Sequence, residues 1–365
     1  MVYLHVPFCK SFCTYCDFYS EICTPEKAAG VQKLFAERVC REIDERRDEI
    51  ASTAGLQTLY IGGGTPSVLD IRWLRKIVRH LEEVCGAGWK EFTVEVNPED
   101  IVRKGLPYAR GLVGLGVGRV SMGVQSFSDP LLRWMNRRHN AATAVKAAEI
   151  LREAGVGNLS LDLIFGISQL SDEEWQDTIE QALKLHPQHI SAYQLSIEPG
   201  SALAGMVARG QYREAGEELC RRQYERLCER LAAAGFRHYE ISNFARPGFE
   251  ALHNSAYWVR LPYVGLGPGA HSFDGGQTRS WNSEGLTDWT HSSETLSDED
   301  VRTETLMLGL RTAEGVPEAW LRDNGNPALI DALLAEGSLV RHRGASLRIP
   351  EERFFISDEI IRELV

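Results

Sequence analysis

Three cysteines, Cys9, Cys13 and Cys16, lie in the short run CKSFCTYC directly after the first strand-like segment. Gaps of three and two residues let the three sulfurs converge on one face of an iron–sulfur cluster, whereas a cubane of four irons normally takes four protein thiolates. One iron is then left open for a substrate or cofactor, as in catalytic zinc sites. The alternatives are a chance group of thiols or a zinc knuckle, which needs a second Cys/His pair that we do not find.

The length and composition fit one large catalytic domain with a smaller appendage. A chain of 365 residues, 43% of them hydrophobic, can bury a sizeable core, and a barrel-type α/β domain commonly takes more than ~200 residues as one unit. The net charge is −11, from 40 basic and 51 acidic residues. Because nucleic-acid binding requires clustered positive charge, we expect no nucleic-acid partner.

The chain is expected to be cytoplasmic. No apolar run approaches the ~20 residues that span a bilayer, and Met1 leads into a strand without the basic segment and cleavage site of a signal peptide. Beside the clustered cysteines stands an odd number of others, without the paired spacing of secreted disulfide proteins. We therefore expect ordinary free thiols at Cys23, Cys40, Cys85, Cys220 and Cys228.

Short apolar runs alternate with longer helical periods over roughly the first 235 residues, which is typical of βα units around a parallel sheet. The predicted strands are Val2–Val6, Thr58–Gly62, Glu91–Val96, Arg119–Val124, Ser160–Phe165 and His189–Leu195. The predicted helices are Lys27–Glu49, Asp70–Val84, Ala141–Ala154 and Asp172–Leu185. We therefore predict an α/β fold, a partial (β/α)6 TIM-like barrel, with functional residues where the strands end.

Glycines and polar side chains stand near the ends of these strands. The run GGGTP (Gly62–Pro66) follows the second strand, and its glycines let the backbone approach a ligand closely; a tight strand-to-helix turn is the alternative. Glu95, Gln125 and Asp162 each place a polar side chain in an otherwise apolar strand. An unpaired buried polar group costs about 1–3 kcal/mol. These groups therefore indicate either a shared ligand or hydrogen bonds to neighbouring loops.

The cysteine run, preceded by Tyr3–Phe8 and followed by Asp17 and Phe18, resembles the CxxxCxxC motif of the radical S-adenosylmethionine (SAM) superfamily. The resemblance implies a 4Fe–4S cluster held by Cys9, Cys13 and Cys16, with SAM chelating the open iron and yielding a 5′-deoxyadenosyl radical when the cluster donates an electron. It also implies the residues that contact SAM, namely Tyr3, Gly63, Gly64, Thr65, Glu95, Gln125, Arg137 and Asp162.

A second group of motifs lies beyond the barrel, in His238–Ala245, His253–Trp258 and Tyr263–Ser272. Histidine beside aromatic residues suits haem, because imidazole supplies an axial ligand and flat rings pack on the macrocycle. A hydrogen-bonded structural histidine is the alternative for His253. The string HNSAYW resembles the HNxxYW motif of haem chaperones of the HemW type, relatives of the oxygen-independent coproporphyrinogen III dehydrogenase. The resemblance covers nearly the whole chain.

One position separates these two relatives. The dehydrogenases extend the motif to CxxxCxxCxC, and the fourth cysteine position here is Phe18. They also carry an N-terminal extension that we expect this chain to lack. The resemblance therefore favours a haem chaperone that binds haem, SAM and a 4Fe–4S cluster, contacts haem through His253, and delivers haem to acceptor haem proteins such as respiratory enzymes. A radical SAM enzyme acting on a tetrapyrrole, by dehydrogenation or ring-opening methyl transfer, stays open, and so does a homodimer.

Three regions are predicted: the barrel (1–235), a connecting region with HNSAYW (236–297) and a C-terminal domain (298–365). Helices followed by a hairpin indicate that the last is an α+β domain of winged-helix-like shape. Because acidic residues are interspersed through it, we expect a lid or docking module rather than a DNA reader. Its predicted helices are Asp300–Ala313, Ala328–Glu336 and Asp358–Leu364, and its hairpin strands are Ser338–Arg341 and Ser346–Ile349.

Overall fold

The computed structural model describes residues 1–53, 56–86 and 88–365. The strands are β1 (Val2–Val6), β2 (Phe8–Cys9), β3 (Glu21–Ile22), β4 (Thr58–Gly63), β5 (Glu91–Val96), β6 (Arg119–Gln125), β7 (Asn158–Phe165), β8 (His189–Gln194), β9 (Arg237–Glu240), β10 (Asn243–Ala245), β11 (Val264–Leu266), β12 (His271–Phe273), β13 (Thr278–Asn282), β14 (His291–Thr295), β15 (Val316–Pro317), β16 (Val340–His342) and β17 (Ser346–Arg348). The helices are α1 (Pro25–Glu45), α2 (Arg47–Ser52), α3 (Ile71–Cys85), α4 (Pro98–Val113), α5 (Asp129–Trp134), α6 (Ala141–Glu153), α7 (Asp172–Lys184), α8 (Ala202–Ala208), α9 (Glu217–Ala233), α10 (Leu252–Trp258), α11 (Asp298–Leu310), α12 (Glu318–Asn324), α13 (Pro327–Glu336) and α14 (Ser357–Leu364). Pro66–Val68 and Glu351–Ile356 are 3₁₀ segments.

The centre of the molecule is a nine-stranded sheet in the order β11-β1-β4-β5-β6-β7-β8-β10-β9. Strands β1 and β4 to β8 pair in parallel, each with the next. Strand β11 adds in parallel to the outer edge of β1, and β10 and β9 extend the other end antiparallel. The predicted six-stranded parallel core is confirmed, and each strand begins and ends within about two residues of its expected position.

The predicted helices of the barrel are present too, with one correction. The helix expected over Lys27–Glu49 is interrupted at Arg46, where φ is −113° and ψ is 24°, and forms α1 and α2. Helices α3, α6 and α7 begin and end within about one residue of the prediction. They lie between successive parallel strands, as crossover helices do.

The two faces of the core strands differ in polarity. One face carries apolar side chains that pack with the helices in one continuous core, for example Leu4, Ile61, Val94 and Leu161. Successive side chains of a strand point to opposite faces, so the alternate residues face the barrel lumen. Those residues are mostly polar: Tyr3, His5, Thr58, Tyr60, Thr93, Glu95, Arg119, Ser121, Ser160, Asp162, His189, Ser191 and Tyr193.

Residues 236–297 contribute to both edges of the sheet and to one end of the barrel. Strands β9 and β10 lie beyond β8, and β11 lies beside β1. Helix α10 lies at the end where the strands begin, because Glu91, the first residue of β5, accepts hydrogen bonds from the backbone N–H groups of Leu252 at 2.8 Å and His253 at 3.0 Å. The boundaries at 235 and 297 remain a prediction, although these strands pair directly with the barrel.

The C-terminal part has the order helix, strand, two helices, two strands and, after a 3₁₀ segment, a final helix, with a small sheet in the order β15-β17-β16. This is the winged-helix-like arrangement predicted; β15 and α12 are additional to the prediction. The module contacts β9 and the residue after it, since Ala313 N–H donates to the carbonyl of Tyr239 at 3.0 Å and Ile241 N–H to that of Arg311 at 3.0 Å. In the described residues, no helix is both long and apolar enough to cross a membrane.

Candidate functional site

The barrel encloses a cavity of about 630 Å³ that reaches from the cysteine loop, beyond the ends of the parallel strands, to α10 at the opposite end. Cys9, Cys13 and Cys16 all line it. So do most of the predicted SAM contacts, namely Gly63, Gly64, Thr65, Glu95, Gln125, Arg137 and Asp162. The structure therefore brings the two predicted sites into one space.

The cysteine loop is held at both ends and in the middle. Strands β2 and β3 pair in parallel and close the loop at its base. Thr14, between the second and third cysteines, donates its N–H to the carbonyl of Met135 at 3.1 Å and its hydroxyl to that of Trp134 at 2.8 Å. These bonds fix the three thiols against the segment that follows β6 before any metal is bound.

The glycine run after β4 lies directly against the cysteine loop. Gly64 N–H donates to the carbonyl of Val6 at 2.9 Å, and a Cβ added at Gly64 would meet the backbone of Pro7 at 3.0 Å. Gly63 has φ +108°, and its added Cβ would meet the His5 ring at 2.7 Å. Both positions therefore require glycine, because the backbone is packed closely and one residue is in the left-handed region.

Glu95 is a buried acid facing the lumen. Its Oε1 accepts a hydrogen bond from the Tyr60 hydroxyl at 2.7 Å. Burial raises the pKa of Glu95 to about 7, and the nearby carboxylate of Asp162 acts in the same direction. Burial likewise raises the pKa of Asp162, whose Oδ1 accepts from Ser121 at 2.9 Å. Two acids in one water-poor lumen favour a cationic ligand, since a positive charge lets both ionise.

Arg137 is a cation in direct contact with the cysteine loop. Its Nη1 lies 3.3 Å from the Cys13 sulfur, and its Nη2 donates to Asn97 Oδ1 and to the Gly123 carbonyl, both at 2.6 Å. Its Nε has no partner among the described residues. The neighbouring Arg138 instead pairs with Glu99. Arg137 can therefore stabilise a thiolate or accept an anionic group of a ligand.

Gln125 ends β6 in a strained conformation. Its φ is 67°, in the left-handed region that a glutamine rarely adopts, and the register with β7 shifts between Gly123 and Gln125. This bulge turns the amide into the cavity. Such bulges commonly re-aim side chains at functional sites.

Tyr3 is the one predicted SAM contact that the structure does not bring to the cavity wall. Its hydroxyl lies 3.2 Å from His5 Nδ1, and its ring lies 6.1 Å from that of Tyr60, centroid to centroid. Tyr60, its partner in register on β4, lines the cavity instead. Its role toward SAM remains a prediction.

His253 closes the opposite end of the barrel. The side chain is 0% exposed, with Nδ1 at 2.8 Å from the Thr58 hydroxyl and Nε2 at 2.8 Å from the Tyr257 hydroxyl. Burial lowers its pKa to about 3, so the ring is neutral. Both ring nitrogens are engaged, as in the structural alternative, so axial ligation of haem by His253 requires one of these bonds to break.

Helix α10 separates the lumen from a second cavity of about 710 Å³ outside the barrel. Asn254 faces the lumen, whereas Ser255 and Trp258 of the same motif line the outer cavity. Its other walls come from α9, β9, β10 and the C-terminal module. The HNSAYW motif therefore lies between two cavities, at the far end of the barrel from the cysteine loop.

Several lumen residues were missed by the sequence reasoning, which took one polar residue per strand. The signal that could have found them is the polar residue at every second position of the core strands. The missed residues that line the cavity are Tyr60, Asn97, Arg119, Ser121, Ser191, Tyr193 and Asn254.

The residues present fit a cluster with SAM. Three thiols on one fixed loop face a cavity, and the acids Glu95 and Asp162 face the same cavity. Within the described ranges no group of three His, Cys, Asp or Glu side chains could hold a single metal ion. Burial raises the pKa of Cys16 to about 11, so a bound metal group must supply the positive charge that makes it a thiolate ligand.

The chain is similar to known proteins over most of its length. The model of the Radical SAM superfamily matches residues 3–182. The heme chaperone HemW of Synechocystis is 36% identical, over 87% of this chain and 79% of that protein. The heme chaperone HemW of Mycobacterium tuberculosis (strain CDC 1551 / Oshkosh) is 34% identical, over 100% of this chain and 94% of that protein.

A solved structure of coproporphyrinogen III oxidase (HemN) from Escherichia coli, a radical SAM enzyme, has a TM-score of 0.80 and 19% sequence identity. The match covers 99% of this chain and 88% of that one. At this identity the likeness establishes the fold alone. It extends through the barrel, the connecting region and the C-terminal module.

Proposed function

This chain belongs to the haem chaperone HemW family, and on that premise we propose that it binds haem and delivers it to acceptor haem proteins. The observation that carries the proposal is the position of α10. Its HNSAYW motif faces the lumen on one side and an outer cavity of about 710 Å³ on the other. Respiratory haem enzymes are the class of acceptor that we propose, and a homodimer is a proposed state of the chaperone.

Cys9, Cys13 and Cys16 would hold the 4Fe–4S cluster, and the lumen would hold SAM. The cluster bound with SAM supplies one-electron reduction of the sulfonium. The chain's own residues position the ligand: Gly63 and Gly64 admit its amino end close to the backbone, and Arg137 meets its carboxylate. Glu95 and Asp162 supply the negative charge that a sulfonium and an ammonium group favour.

We propose that haem is contacted by α10. His253 can ligate iron only after Thr58 or Tyr257 releases one ring nitrogen, which costs one buried hydrogen bond. Trp258 faces the outer cavity without any such change, and an aromatic ring there can pack on a macrocycle. His253 would contact haem from the lumen side of α10, and Trp258 would contact it from the outer cavity. Variants of the two residues can distinguish these two positions of haem.

A radical SAM enzyme acting on a tetrapyrrole is the second candidate. The observation in its favour is the complete set of polar lumen groups around the cysteines, which a pure carrier does not need. Release of 5′-deoxyadenosine when a tetrapyrrole is added to the reduced protein with SAM would support the enzyme. Haem transfer to an acceptor without that release supports the chaperone.

The experiment is an anaerobic reconstitution followed by haem titration. The wild type should bind iron at the cluster and haem stoichiometrically. Cys16→Ala should lose the visible absorbance of the cluster, because a ligand is missing, whereas Cys220→Ala, a buried cysteine outside the loop, should keep it. Equal iron content in the two variants contradicts the cluster assignment.

The same titration locates the haem. A changed haem spectrum in Trp258→Ala alone supports the outer contact, and a change in His253→Ala alone supports the inner one. Neither variant should lose the cluster, which lies at the other end of the barrel. Unchanged haem affinity in both variants would remove α10 from the proposal, and no haem binding by the wild type would remove the chaperone function itself.

A further inference from the structure

Arg119 is a buried cation that the structure leaves largely unpaired. It is the first residue of β6, 2% exposed, and it lines the lumen cavity from the end near α10. Its Nη2 lies 3.2 Å from Nδ1 of His189. Among the described residues, Nε and Nη1 have no hydrogen-bond partner.

The partner of Nη2 does not neutralise the charge. Arginine can only donate, so His189 Nδ1 must accept, and its Nε2 then donates to the Tyr239 hydroxyl at 2.8 Å. The imidazole is therefore neutral, and burial, with Arg119 nearby, holds its pKa well below the usual range. One N–H on Nε and two on Nη1 remain without an acceptor.

A second polar group without a partner among the described residues lies beside Arg119, at the same level along the barrel axis. Thr93 on β5 pairs in register with Arg119, is 0% exposed, and its hydroxyl has no partner among the described residues. Burying a charge is costly unless it is paired and hydrogen-bonded, and a native unsatisfied group usually marks a missing water, ion or ligand. Here Arg119 lines an existing cavity, and Thr93 lies beside it in register on the neighbouring strand.

The surroundings restrict the charge of what can bind. Glu95 and Ser121 lie two residues beyond Thr93 and Arg119 on the same faces of β5 and β6, and Ser121 donates to Asp162. Glu95 and Asp162 would repel a multiply charged anion, whereas a single negative charge balances the Arg119 guanidinium. Planar carboxylates match the guanidinium fork.

We propose that Arg119 anchors a second binding site, for a carboxylate group, at the end of the lumen near α10. The carboxylate accepts from the free guanidinium N–H groups and from the Thr93 hydroxyl. It belongs either to a small free acid or to a propionate side chain of a tetrapyrrole. The site is separate from the SAM contacts around the cysteines, because Arg137 serves that end of the cavity.

The test measures binding of labelled propionate to the full-length, cluster-loaded protein by equilibrium dialysis. The wild type should bind one propionate saturably, and Arg119→Met should bind it at least tenfold more weakly. Arg138→Met is the matched control, because Arg138 lines the same cavity but already pairs with Glu99. It should bind propionate as the wild type does.

The source of the carboxylate is distinguished with haem and haem dimethyl ester, whose propionates are blocked. If haem supplies the group, Arg119→Met should weaken haem binding at least tenfold and leave the ester unaffected. If only free propionate responds to the substitution, the ligand is a small acid. A negative result for Arg119 does not contradict the proposed chaperone function, because haem binding by the wild type is measured in the same series.

Three results would overturn the proposal. They are no saturable propionate binding by the wild type, equal binding by Arg119→Met, and loss of binding at saturating SAM, which would place SAM's own carboxylate on Arg119. Should Arg119→Met fail to fold, wild-type crystals soaked in 2-bromopropionate decide the question. Anomalous density for bromine beside Arg119 supports the site, and its absence there means that water satisfies these groups.

Discussion

We expect the affinity for SAM to depend on pH through the carboxyl group of Glu95, a proposed SAM contact. Its pKa of about 7 means that it is ionised, and able to pair with the cationic ligand, only above neutrality. Below pH ~7, a proton must leave before SAM binds, so we expect affinity to fall by up to ~10-fold per pH unit. Titration calorimetry between pH 6 and 8 measures this slope.

Two variants separate Glu95 from other titrating groups. Glu95→Gln should bind SAM weakly, by about 1–3 kcal/mol less, and with a flatter pH profile. Glu99→Gln, which removes an acid of the same cavity that pairs with Arg138, should keep the wild-type slope. A wild-type slope in Glu95→Gln would show that another group is responsible.

His253 gives the fold a sensitivity to acid. Its pKa is about 3 in the folded chain against a usual 6.5, so the unfolded chain binds the additional proton between these values. The free energy of unfolding is thus fully retained above pH 6.5 and falls below it, by at most ~1.4 kcal/mol per pH unit. The His253→Ala variant lacks this pH-dependent contribution to the free energy of unfolding. It also leaves the Thr58 and Tyr257 hydroxyls without their partner, which costs about 1–3 kcal/mol for each.

Urea unfolding of the wild type and His253→Ala at pH 7.5 and 5.5 checks this. The variant should be less stable at both values, and the gap should be smaller at pH 5.5 by about 1.4 kcal/mol. A gap that stays constant would mean that the ring has the same pKa in the folded and the unfolded chain, and a gap that widens at pH 5.5 would mean that the ring carries a proton in the folded chain.

Individual site residues could be predicted from the sequence only where a motif isolated them. The cysteine run and GGGTP did so, because close spacing makes neighbours in space. Arg119 and Tyr60 were missed because the sequence reasoning took one polar residue per strand and did not use the polar residue at every second position, which marks the lumen face. The environment of His253 could not be predicted either, because Thr58, one of its partners, lies 195 positions away in the chain.

At the level of secondary-structure elements, α1 holds the segment around β11 to β14 through one buried acid. Glu42 accepts from Gly267 N–H at 2.9 Å, Asn282 Nδ2 at 2.7 Å and Trp289 Nε1 at 3.0 Å. It also pairs with Arg46 at 3.3 Å. These contacts join residues more than two hundred positions apart.

We expect Glu42→Ala to lower the free energy of unfolding by about 3–5 kcal/mol, because it leaves the buried N–H groups of Gly267 and Trp289 without this acceptor and removes one of the two carboxylates that pair with Arg46. Glu45→Ala is the control on the same helix. Glu45 is exposed, and its one ion pair within the described residues is with Arg38, so its loss should cost ~0–1 kcal/mol. Denaturant unfolding measures both, and equal losses would contradict the role of Glu42.

Most of the long elements with a clear period were predicted, but helix α9 was missed although its buried residues recur every three or four positions. The irregular elements were not predicted. Helix α4 contains Gly105, with φ 64°, and Pro107, two residues that normally end a helix. Strands β9, β10 and β11 are three or four residues long, too short to show alternation. Their pairing with β8 and β1 depends on contacts distant in sequence, which no local pattern records.

For the whole molecule, we expect haem binding without conversion of coproporphyrinogen III. Phe18 stands at the fourth cysteine position of the dehydrogenase motif, is 69% exposed, and cannot supply a thiolate. An anaerobic assay with SAM and a reductant should give no protoporphyrinogen IX. Catalytic formation of that product by the wild type would contradict the chaperone assignment, whereas Phe18→Cys serves to ask whether the thiol alone restores activity.

During synthesis, strand β1 stays without its outer partner until β11 has been made. Val2 pairs with Val264, 262 positions later. At ~5–20 residues per second, that partner is made roughly 13–50 s after the strand it covers. Until then the nascent chain carries an open edge on β1, and an uncovered strand edge is a template for unwanted pairing. Slow synthesis or a stalled ribosome before residue 264 should therefore reduce the yield of native protein more than a pause after it.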